Sequence, residues 1–240
     1  MEASESTVTR ARESWFIPGA IIIAGLILAG TVYAMRSNDL PGTVEGDVSL
    51  LRPVSEIDHI IGNPSAPVVL IEYADIDSAH AKSFQTTMEQ VLADYGPTGQ
   101  VAWIYRHLPL IDQHPYAAQH AEAAECAASL GGPLMFWRFI SLLNTAAPDD
   151  QQFNPRDYGS VVEAVGILPQ SFEACMTEHR FQERVAEDFT NGIAIGAGGS
   201  PFSVLLIEGH PPVTIDGAVS YDALKRILDE AIAQATTPTQ

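Results

Sequence analysis

The chain has 240 residues, a length that suits one domain of ordinary size with an additional segment. Asp and Glu number 30 against 12 Lys and Arg, and the formal net charge of -18 argues against nucleic acid as a partner, because phosphate binding needs clustered positive charge. Hydrophobic residues make up 46% of the chain, which is too apolar for a disordered acidic tail.

The N-terminal part of the chain predicts a membrane anchor. The 21 residues from Trp15 to Met35 carry no charge, and at about 1.5 Å per residue such a helix crosses a hydrocarbon core of roughly 30 Å. Arg10 and Arg12 precede the segment and Arg36 follows it, which favours the N-terminus inside and the remainder outside. We therefore expect a single-pass cell-membrane protein with a cytoplasmic segment at residues 1–14 and an extracytoplasmic domain.

A cleavable signal peptide is the alternative interpretation of this segment. Val32-Tyr33-Ala34 fits the small-residue pattern of a cleavage site. The apolar region of a signal peptide is normally about 7–15 residues long, however, and this one is longer. The length favours an uncleaved anchor.

Residues 36–57 are predicted to be a linker. They contain Pro41-Gly42, several acidic residues and little periodicity, which is typical of a connecting segment. The globular domain is expected to begin at Asp58 and to extend to residue 235. Residues 236–240 are expected to form a loose tail.

The first part of the domain predicts a βαβ unit. Val68 to Tyr73 and Val101 to Tyr105 are apolar runs that indicate buried strands. Between them, Ala79 to Tyr95 predicts a helix with an apolar face formed by Phe84, Met88, Val91 and Leu92. A strand, a helix and a strand within some forty residues indicate that the two strands are parallel.

The middle of the domain, at about residues 113–190, predicts a helical block. Its alanine-rich and aromatic stretches and its prolines at helix starts indicate five helices. They are His114 to Leu130, Leu134 to Leu143, one that starts at Asn154-Pro155, Pro169 to His179, and Phe181 to Ile195.

The last part of the domain predicts a hairpin and a helix. Phe202 to Ile207 and Val213 to Ile215 indicate antiparallel strands, and Tyr221 to Ala233 indicates an amphipathic helix. A β-α-β unit, a helical insertion and a β-β-α unit together predict an α/β thioredoxin fold with an inserted helical domain, preceded by one N-terminal transmembrane helix.

Short motifs in this order carry a resemblance to a known family. Residues 58–67 (DHIIGNPSAP) with the following VVLIEYADID resemble the opening of DsbA-like thioredoxin domains, a family of disulfide oxidoreductases. Arg106 to Leu110 (RHLPL) resembles the segment after that family's second strand. Further matching motifs are Phe136-Trp137, Phe172 to Cys175 and Ser200-Pro201. The resemblance covers about residues 58 to 235 and implies the fold and an extracytoplasmic setting.

The chain departs from that family at its redox motif. The family carries C-x-x-C at the N-terminus of the first helix, and the corresponding residues here are Ser78, Ala79, His80 and Ala81. A helix N-terminus stabilises a thiolate because its N–H groups and dipole favour negative charge. A serine hydroxyl does not ionise near neutral pH without an activating base, and alanine cannot resolve a mixed disulfide. We therefore expect no thiol–disulfide exchange and no catalytic residue at these four positions.

Hydrolysis with Ser78 as nucleophile and His80 as base is an alternative. Residues two positions apart on a helix do not face each other, and no orienting acid is evident. Asp75 and Asp77 lie nearby, but acids there also cap a helix. The simpler interpretation is that Ser78 caps the helix and that His80 is partly exposed.

Ser200-Pro201 is the second motif that the resemblance singles out. It implies a cis-proline turn that faces the Ser78 loop, and in the family the backbone beside this turn pairs with an extended substrate peptide. Such β-augmentation needs no cysteine, so His80, Ser200 and Pro201 are candidate substrate-binding residues. The alternative is that Pro201 only shapes the loop before the next strand.

The chain has two cysteines, Cys126 and Cys175, both in the helical block. Related DsbA-like sequences often have cysteines at these places, so the resemblance implies a structural disulfide. Closing a loop of about 50 residues contributes roughly 4 kcal/mol in the chain-entropy model. Two separate buried thiols are the alternative.

We expect neither a metal nor a cofactor. The absence of C-x-x-C excludes an all-cysteine zinc site, and the spacing of His107, His114 and His120 matches no recognised zinc motif. The glycine run Gly192 to Gly199 lacks the Gly-Lys-Ser/Thr of a phosphate-binding loop and follows a helix rather than a strand. It is better interpreted as a helix C-terminus with a loop.

The sequence therefore predicts a membrane-anchored DsbA-like protein with a degenerate active site. Its expected role is to bind a peptide or a protein partner in the cell envelope, as a redox-inactive or structural component. The alternative is a thiol-disulfide oxidoreductase or isomerase of extracytoplasmic protein folding. Such an enzyme would use a partner's cysteines, or Cys126 and Cys175.

Overall fold

The computed structural model describes residues 46–147 and 152–236. The predicted anchor Trp15 to Met35, the cytoplasmic segment 1–14 and residues 237–240 lie outside the described residues. Within the described ranges, none of the helices combines the length and the apolar character that crossing a membrane requires.

Five strands and seven α-helices make up the described part of the chain. The strands are β1 (His59–Gly62), β2 (Val68–Ala74), β3 (Val101–His107), β4 (Phe202–Ile207) and β5 (Val213–Asp216). The helices are α1 (Ala79–Tyr95), α2 (Ala117–Gly131), α3 (Pro133–Ala146), α4 (Tyr158–Ala164), α5 (Pro169–Thr177), α6 (Gln182–Ala194) and α7 (Tyr221–Ala235).

The strands form one sheet in the order β1-β3-β2-β4-β5. Strands β2 and β3 are parallel, and every other neighbouring pair is antiparallel. The parallel pair with α1 is the predicted βαβ unit, and β4 with β5 is the predicted hairpin. Helices α2 to α6 lie between β3 and β4 along the chain and form the predicted helical insertion. The α/β thioredoxin-like fold with this insertion is thus confirmed.

Strand β2 is buried on both faces because the sheet separates two apolar clusters. Val68, Leu70 and Ala74 belong to the larger cluster, which also includes side chains of α1, α7 and the helical insertion. Ile71 and Tyr73 point to the opposite face and belong to the smaller one. Successive side chains of a strand alternate between the two faces of the sheet. The sequence of a central strand that is covered on both faces is therefore a continuous apolar run.

Strand β1 was not predicted from the sequence. It is only four residues long and pairs antiparallel with β3, with His59 opposite Tyr105. Its residues range from buried to exposed without a clean alternation. A strand this short at the edge of a sheet is specified by its partner strand, which lies more than forty positions further along the chain.

Residues 46–57, here called the N-terminal strap, are packed on the domain instead of forming a free linker. The amide of Asp47 donates to the carbonyl of Ala194, at 3.0 Å. Arg52 Nη2 lies 2.6 Å from Asp188 Oδ1, and its backbone N–H donates to Asn191 Oδ1 at 3.0 Å. Residues 46–57 are therefore held against α6, which differs from the free linker that the sequence predicts for this stretch.

Arg106 joins the sheet to the strap and to Asp58, the residue that follows it. Arg106 on β3 donates from Nε and Nη2 to the two carboxylate oxygens of Asp58, at 2.9 and 3.0 Å. Its Nη1 donates to the carbonyl of Arg52, at 2.9 Å. Burial raises the pKa of Asp58, but the hydrogen bond and charge of Arg106 outweigh it and hold this pKa below its usual range. These partners are 48 and 54 positions apart in sequence, so no local pattern indicates them.

The predicted helix from His114 begins later, at Ala117. Pro115 explains the difference, since the residue before a proline is biased away from the helical conformation. The helix predicted at Asn154-Pro155 begins as a 3-10 turn, Pro155–Asp157, in which the Asn154 side chain accepts a hydrogen bond from the Arg156 amide. Helix α4 follows directly at Tyr158.

Candidate functional site

Ser78 lies immediately before α1, where the C-terminal end of β2 leads into the helix. Its Oγ accepts a hydrogen bond from the amide of Ala81, at 3.4 Å, so Ser78 is the N-cap of α1 as predicted. Ser78 and Ala81 are buried, whereas Ala79 is half-buried and His80 is exposed. The four residues Ser78 to Ala81 thus present one polar side chain, His80, to solvent.

Ser200 and Pro201 lie directly against this helix start. Their peptide bond is cis, as the resemblance implies. Ser78 Oγ donates to the carbonyl of Ser200 at 3.3 Å, and the amide of Asp75 donates to Ser200 Oγ at 2.7 Å. The structure therefore brings the two predicted motifs together, although they are 122 positions apart.

Asp75 connects the end of β2 to the loop that follows β3. Its Oδ2 accepts a hydrogen bond from the amide of Leu110 at 2.8 Å and lies 2.9 Å from His114 Nδ1. Its Oδ1 accepts from the amide of Asp77, at 2.8 Å. Asp75 is buried, and these contacts hold the loop before α1 in place.

Asp77 forms a second pair with a histidine. Both of its carboxylate oxygens lie 2.8 Å from His120 Nδ1 on α2, and Gln152 Nε2 donates to Oδ2 at 2.7 Å. His120 is fully buried, and its Nε2 has no hydrogen-bond partner in the part of the chain that the structure describes. Two of the three histidines that match no zinc motif, His114 and His120, are thus partners of the two aspartates before Ser78.

Glu72 on β2 is a buried acid that the sequence analysis did not single out. Its side chain is 1% exposed, and its Oε2 accepts a hydrogen bond from Trp103 Nε1 at 2.8 Å. Burial disfavours the charged form and raises the pKa of Glu72 to about 8, against the smaller lowering effect of the Trp103 hydrogen bond. The sequence feature that could have indicated this buried acid is the single glutamate within the otherwise apolar run VVLIEY.

A second buried network joins β1, β3 and α2. Oε1 of Glu125 lies 2.9 Å from His59 Nε2 and 3.0 Å from His107 Nε2. Burial raises the pKa of Glu125, but the hydrogen bonds from His107 and His59 outweigh it and lower this pKa to about 2. Burial also lowers the pKa of His59, against the raising effect of Glu125. The network fixes the start of the helical insertion on the edge of the sheet.

The structure joins Cys126 on α2 to Cys175 on α5 in a disulfide, as the resemblance implies. Both cysteines are 0% exposed. Since the chain has only these two cysteines, the bond accounts for every thiol in it. Neither cysteine belongs to the segment Ser78 to Ala81, which the resemblance places at the family's C-x-x-C.

Possible metal ligands and the glycine run are the remaining features that the sequence analysis considers. In the described ranges, no three His, Cys, Asp or Glu side chains are arranged to hold a metal ion. The glycine run forms the end of α6 and the loop after it, with Gly196 at a φ of 102°. This agrees with the predicted helix C-terminus, because a positive φ at such a position favours glycine.

Comparisons with known proteins agree with this architecture. A family model described as "Thioredoxin" matches residues 55–230. Solved structures with a similar fold include alpha-DsbA1 of Wolbachia pipientis, with 18% identity, a TM-score of 0.65 and coverage of 78% of this chain and 96% of that chain. BdbD of Bacillus subtilis in its oxidised form has 19% identity and a TM-score of 0.66, with coverage of 76% and 97%.

Curated relatives include larger proteins. "Na(+)/H(+) antiporter NhaA 3" of Salinispora tropica is 32% identical over 185 residues, which are 76% of this chain and 27% of the antiporter. "Na(+)/H(+) antiporter NhaA 1" of Salinispora arenicola is 31% identical over 201 residues, 83% of this chain and 29% of the antiporter. The chain thus spans less than a third of these relatives. With the family match over most of its length and the sheet and insertion described above, the chain belongs to the thioredoxin family and has a DsbA-like fold.

Proposed function

We propose that this protein is a membrane-anchored, extracytoplasmic member of the thioredoxin family that has lost thiol redox catalysis and binds an extended peptide or protein partner. The antiporter activity named for its relatives is no part of this proposal, because the shared region is less than a third of those proteins. The uncharged segment Trp15 to Met35 supports the anchor.

The geometry at Ser78 is the observation that carries the proposal. Its hydroxyl caps α1 and donates to the carbonyl of Ser200, and both contacts serve the fold. Thiol exchange needs a thiolate at such a helix start and a second thiol to release the mixed disulfide. Ala81 offers no such group, and the bonded cysteines of the helical insertion are buried. These facts support binding in preference to catalysis.

The surroundings of Ser200 support a peptide-binding role. Ser200 is half-buried and contacts Ser78, two positions before the exposed His80, and the segment leads straight into β4. An extended peptide that adds to such a backbone gains main-chain hydrogen bonds, and those bonds require no cysteine. His80 then contributes a polar contact at the edge of the same surface.

Restoring the missing cysteines tests the loss of catalysis. The full-length chain, the double variant Ser78→Cys/Ala81→Cys and the control variant Cys126→Ser are compared for insulin reduction and dithiol oxidation. We expect background turnover for the wild type and the control, and measurable turnover for the double variant, since the scaffold is intact. Wild-type turnover that disappears in Cys126→Ser would contradict the proposal and support the oxidoreductase alternative.

Site-specific crosslinking tests the binding surface. A photoreactive residue is introduced in place of His80, and a matched one in place of Glu163, an exposed residue of α4. We expect the probe at His80, and not the one at Glu163, to crosslink an extracytoplasmic polypeptide in intact cells. Equal crosslinking from both positions would contradict a specific surface at Ser78 and Ser200.

The anchor has its own test. Membranes are washed at alkaline pH, which strips peripheral proteins, and a C-terminal tag is probed with protease from the outside. We expect the full-length chain to stay in the membrane with its tag accessible. Release of the chain, or a protected tag, would contradict the proposed topology.

A further inference from the structure

A cleft in the helical insertion stands apart from the Ser78 site. It lies between α2, α5, α6 and the loop after β3, and its volume is about 690 Å³. Apolar side chains form most of its wall, among them Ile111, Met176, Val185 and Phe189. This volume lies within the range of about 300–1,000 Å³ that is usual for ligand sites. None of the residues that line it belongs to the segment Ser78 to Ala81 or to Ser200-Pro201.

One carboxylate is set into this apolar wall. Glu122 on α2 lines the cleft and is only 5% exposed. Its Oε2 lies 3.2 Å from His179 Nδ1, a side chain that is 66% exposed. Its Oε1 is buried and has no hydrogen-bond partner among the residues that the structure describes. A buried carboxylate oxygen without a donor is unfavourable unless a ligand supplies one.

The two arginines that follow His179 along the chain pair with carboxylates other than Glu122. Arg180 pairs with Glu178, at 2.6 Å, and Arg184 Nε lies 2.9 Å from Glu125 Oε1. Glu122 is therefore the acidic group of the cleft wall that has an oxygen left for an incoming cation. The net charge of -18 also favours a basic partner, because opposite charge raises the rate of encounter and selects the partner.

We propose that the cleft binds a basic side chain, arginine or lysine, carried on an apolar stretch of a partner polypeptide. The cationic group donates to the Glu122 carboxylate, which turns its buried Oε1 toward the cleft when the partner binds, and the neighbouring apolar side chains of the partner pack on Met176 and Phe189. A methionine and an aromatic ring adapt well to such side chains. This site does not depend on peptide binding at Ser200, because the two surfaces share no residue.

A pair of peptides that differ only in charge tests the proposal. The probe is a capped, fluorescently labelled pentapeptide, alanine–leucine–arginine–phenylalanine–alanine, and in its control citrulline replaces the arginine. Citrulline keeps the shape of the side chain and removes its charge. Anisotropy with the full-length chain should show that the arginine peptide binds on the order of tenfold more tightly, as a charge-assisted hydrogen bond implies.

Variants test whether Glu122 and the cleft cause the preference for the arginine peptide. Glu122→Gln should abolish the difference between the two peptides, whereas Glu163→Gln, on the exposed surface of α4, should leave it intact. Ala186→Trp fills the cleft from an exposed position of α6 and should weaken both peptides at least tenfold even if Glu122→Gln does not fold. Equal affinity of the two peptides for the wild type, no binding of either, or a preference that survives Glu122→Gln would each overturn the proposal.

Discussion

Glu72 is a carboxyl group that must take up a proton when the protein folds at neutral pH. Its pKa is about 8 in the folded protein, against an ordinary value of 4.5, because burial disfavours the charged form. Below pH 4.5 the group is protonated in both states and has no effect on stability. Between pH 4.5 and 8 the unfolded chain binds fewer protons than the folded one, so the stability falls as the pH rises.

The magnitude follows from the size of the shift. Each pKa unit corresponds to about 1.4 kcal/mol, so the 2.5 units between 4.5 and 7 correspond to a cost on the order of 3 kcal/mol at pH 7. Glu72→Gln removes this cost, because an amide is neutral at every pH. The amide oxygen of the variant still accepts the hydrogen bond from Trp103 Nε1. In the wild type this nitrogen lies 2.8 Å from Glu72 Oε2.

Urea unfolding of the full-length chain measures this effect, with tryptophan fluorescence as the signal and mild detergent present throughout. Other groups also titrate, so the informative quantity is the difference in unfolding free energy between Glu72→Gln and the wild type. We expect this difference to grow in favour of the variant from pH 4.5 to pH 8. The control Glu163→Gln, at an exposed position, should show a flat difference. A flat difference for Glu72→Gln would refute the reasoning.

Three further predictions concern Glu125, the disulfide and the cap of α1. Because the pKa of Glu125 is lowered to about 2, the charged Glu125 stabilises the fold above pH 4.5, and this stabilisation is lost as the pH falls to 2. Glu125→Gln should lower the free energy of unfolding by up to about 3 kcal/mol at pH 7 and should flatten the fall of stability between pH 4.5 and 2 in urea titrations. Cys126→Ser/Cys175→Ser should lower the stability by roughly 4 kcal/mol, and reducing agent should then leave the thermal midpoint unchanged. Ser78→Ala should cost about 1 kcal/mol in thermal unfolding through the lost cap, and an unchanged midpoint would contradict that role.

Much of the fold was predictable from local sequence. The bounds predicted for α1, Ala79 to Tyr95, and for β4, Phe202 to Ile207, are those that the structure has. Both elements are specified by side chains within a few positions of one another, through apolar periodicity and the serine that starts the helix. The positions of Ser78 to Ala81, Ser200-Pro201 and the two cysteines came from motifs in a fixed order, and the structure brings each pair together.

The partners of the polar side chains were not predictable in this way. Asp75 pairs with His114 and Asp77 with His120, over separations of 39 and 43 positions. The same holds for the N-terminal strap, because Arg52 pairs with Asp188, which is 136 positions further along the chain. No regular spacing in the sequence marks these pairs, and they become neighbours only because α2, α6 and the loop after β3 pack on the sheet.

The sequence by itself determined the helices, four of the five described strands and the serine cap at the start of α1, because periodicity, caps and residue chemistry act over a few positions. The tertiary structure alone decided that Glu72 is buried with a raised pKa, that the N-terminal strap is bound to the domain, and that Glu122 faces an apolar cleft. Burial and charge pairing depend on which elements pack together. The free energy of a polar group is therefore set by neighbours that are distant along the chain.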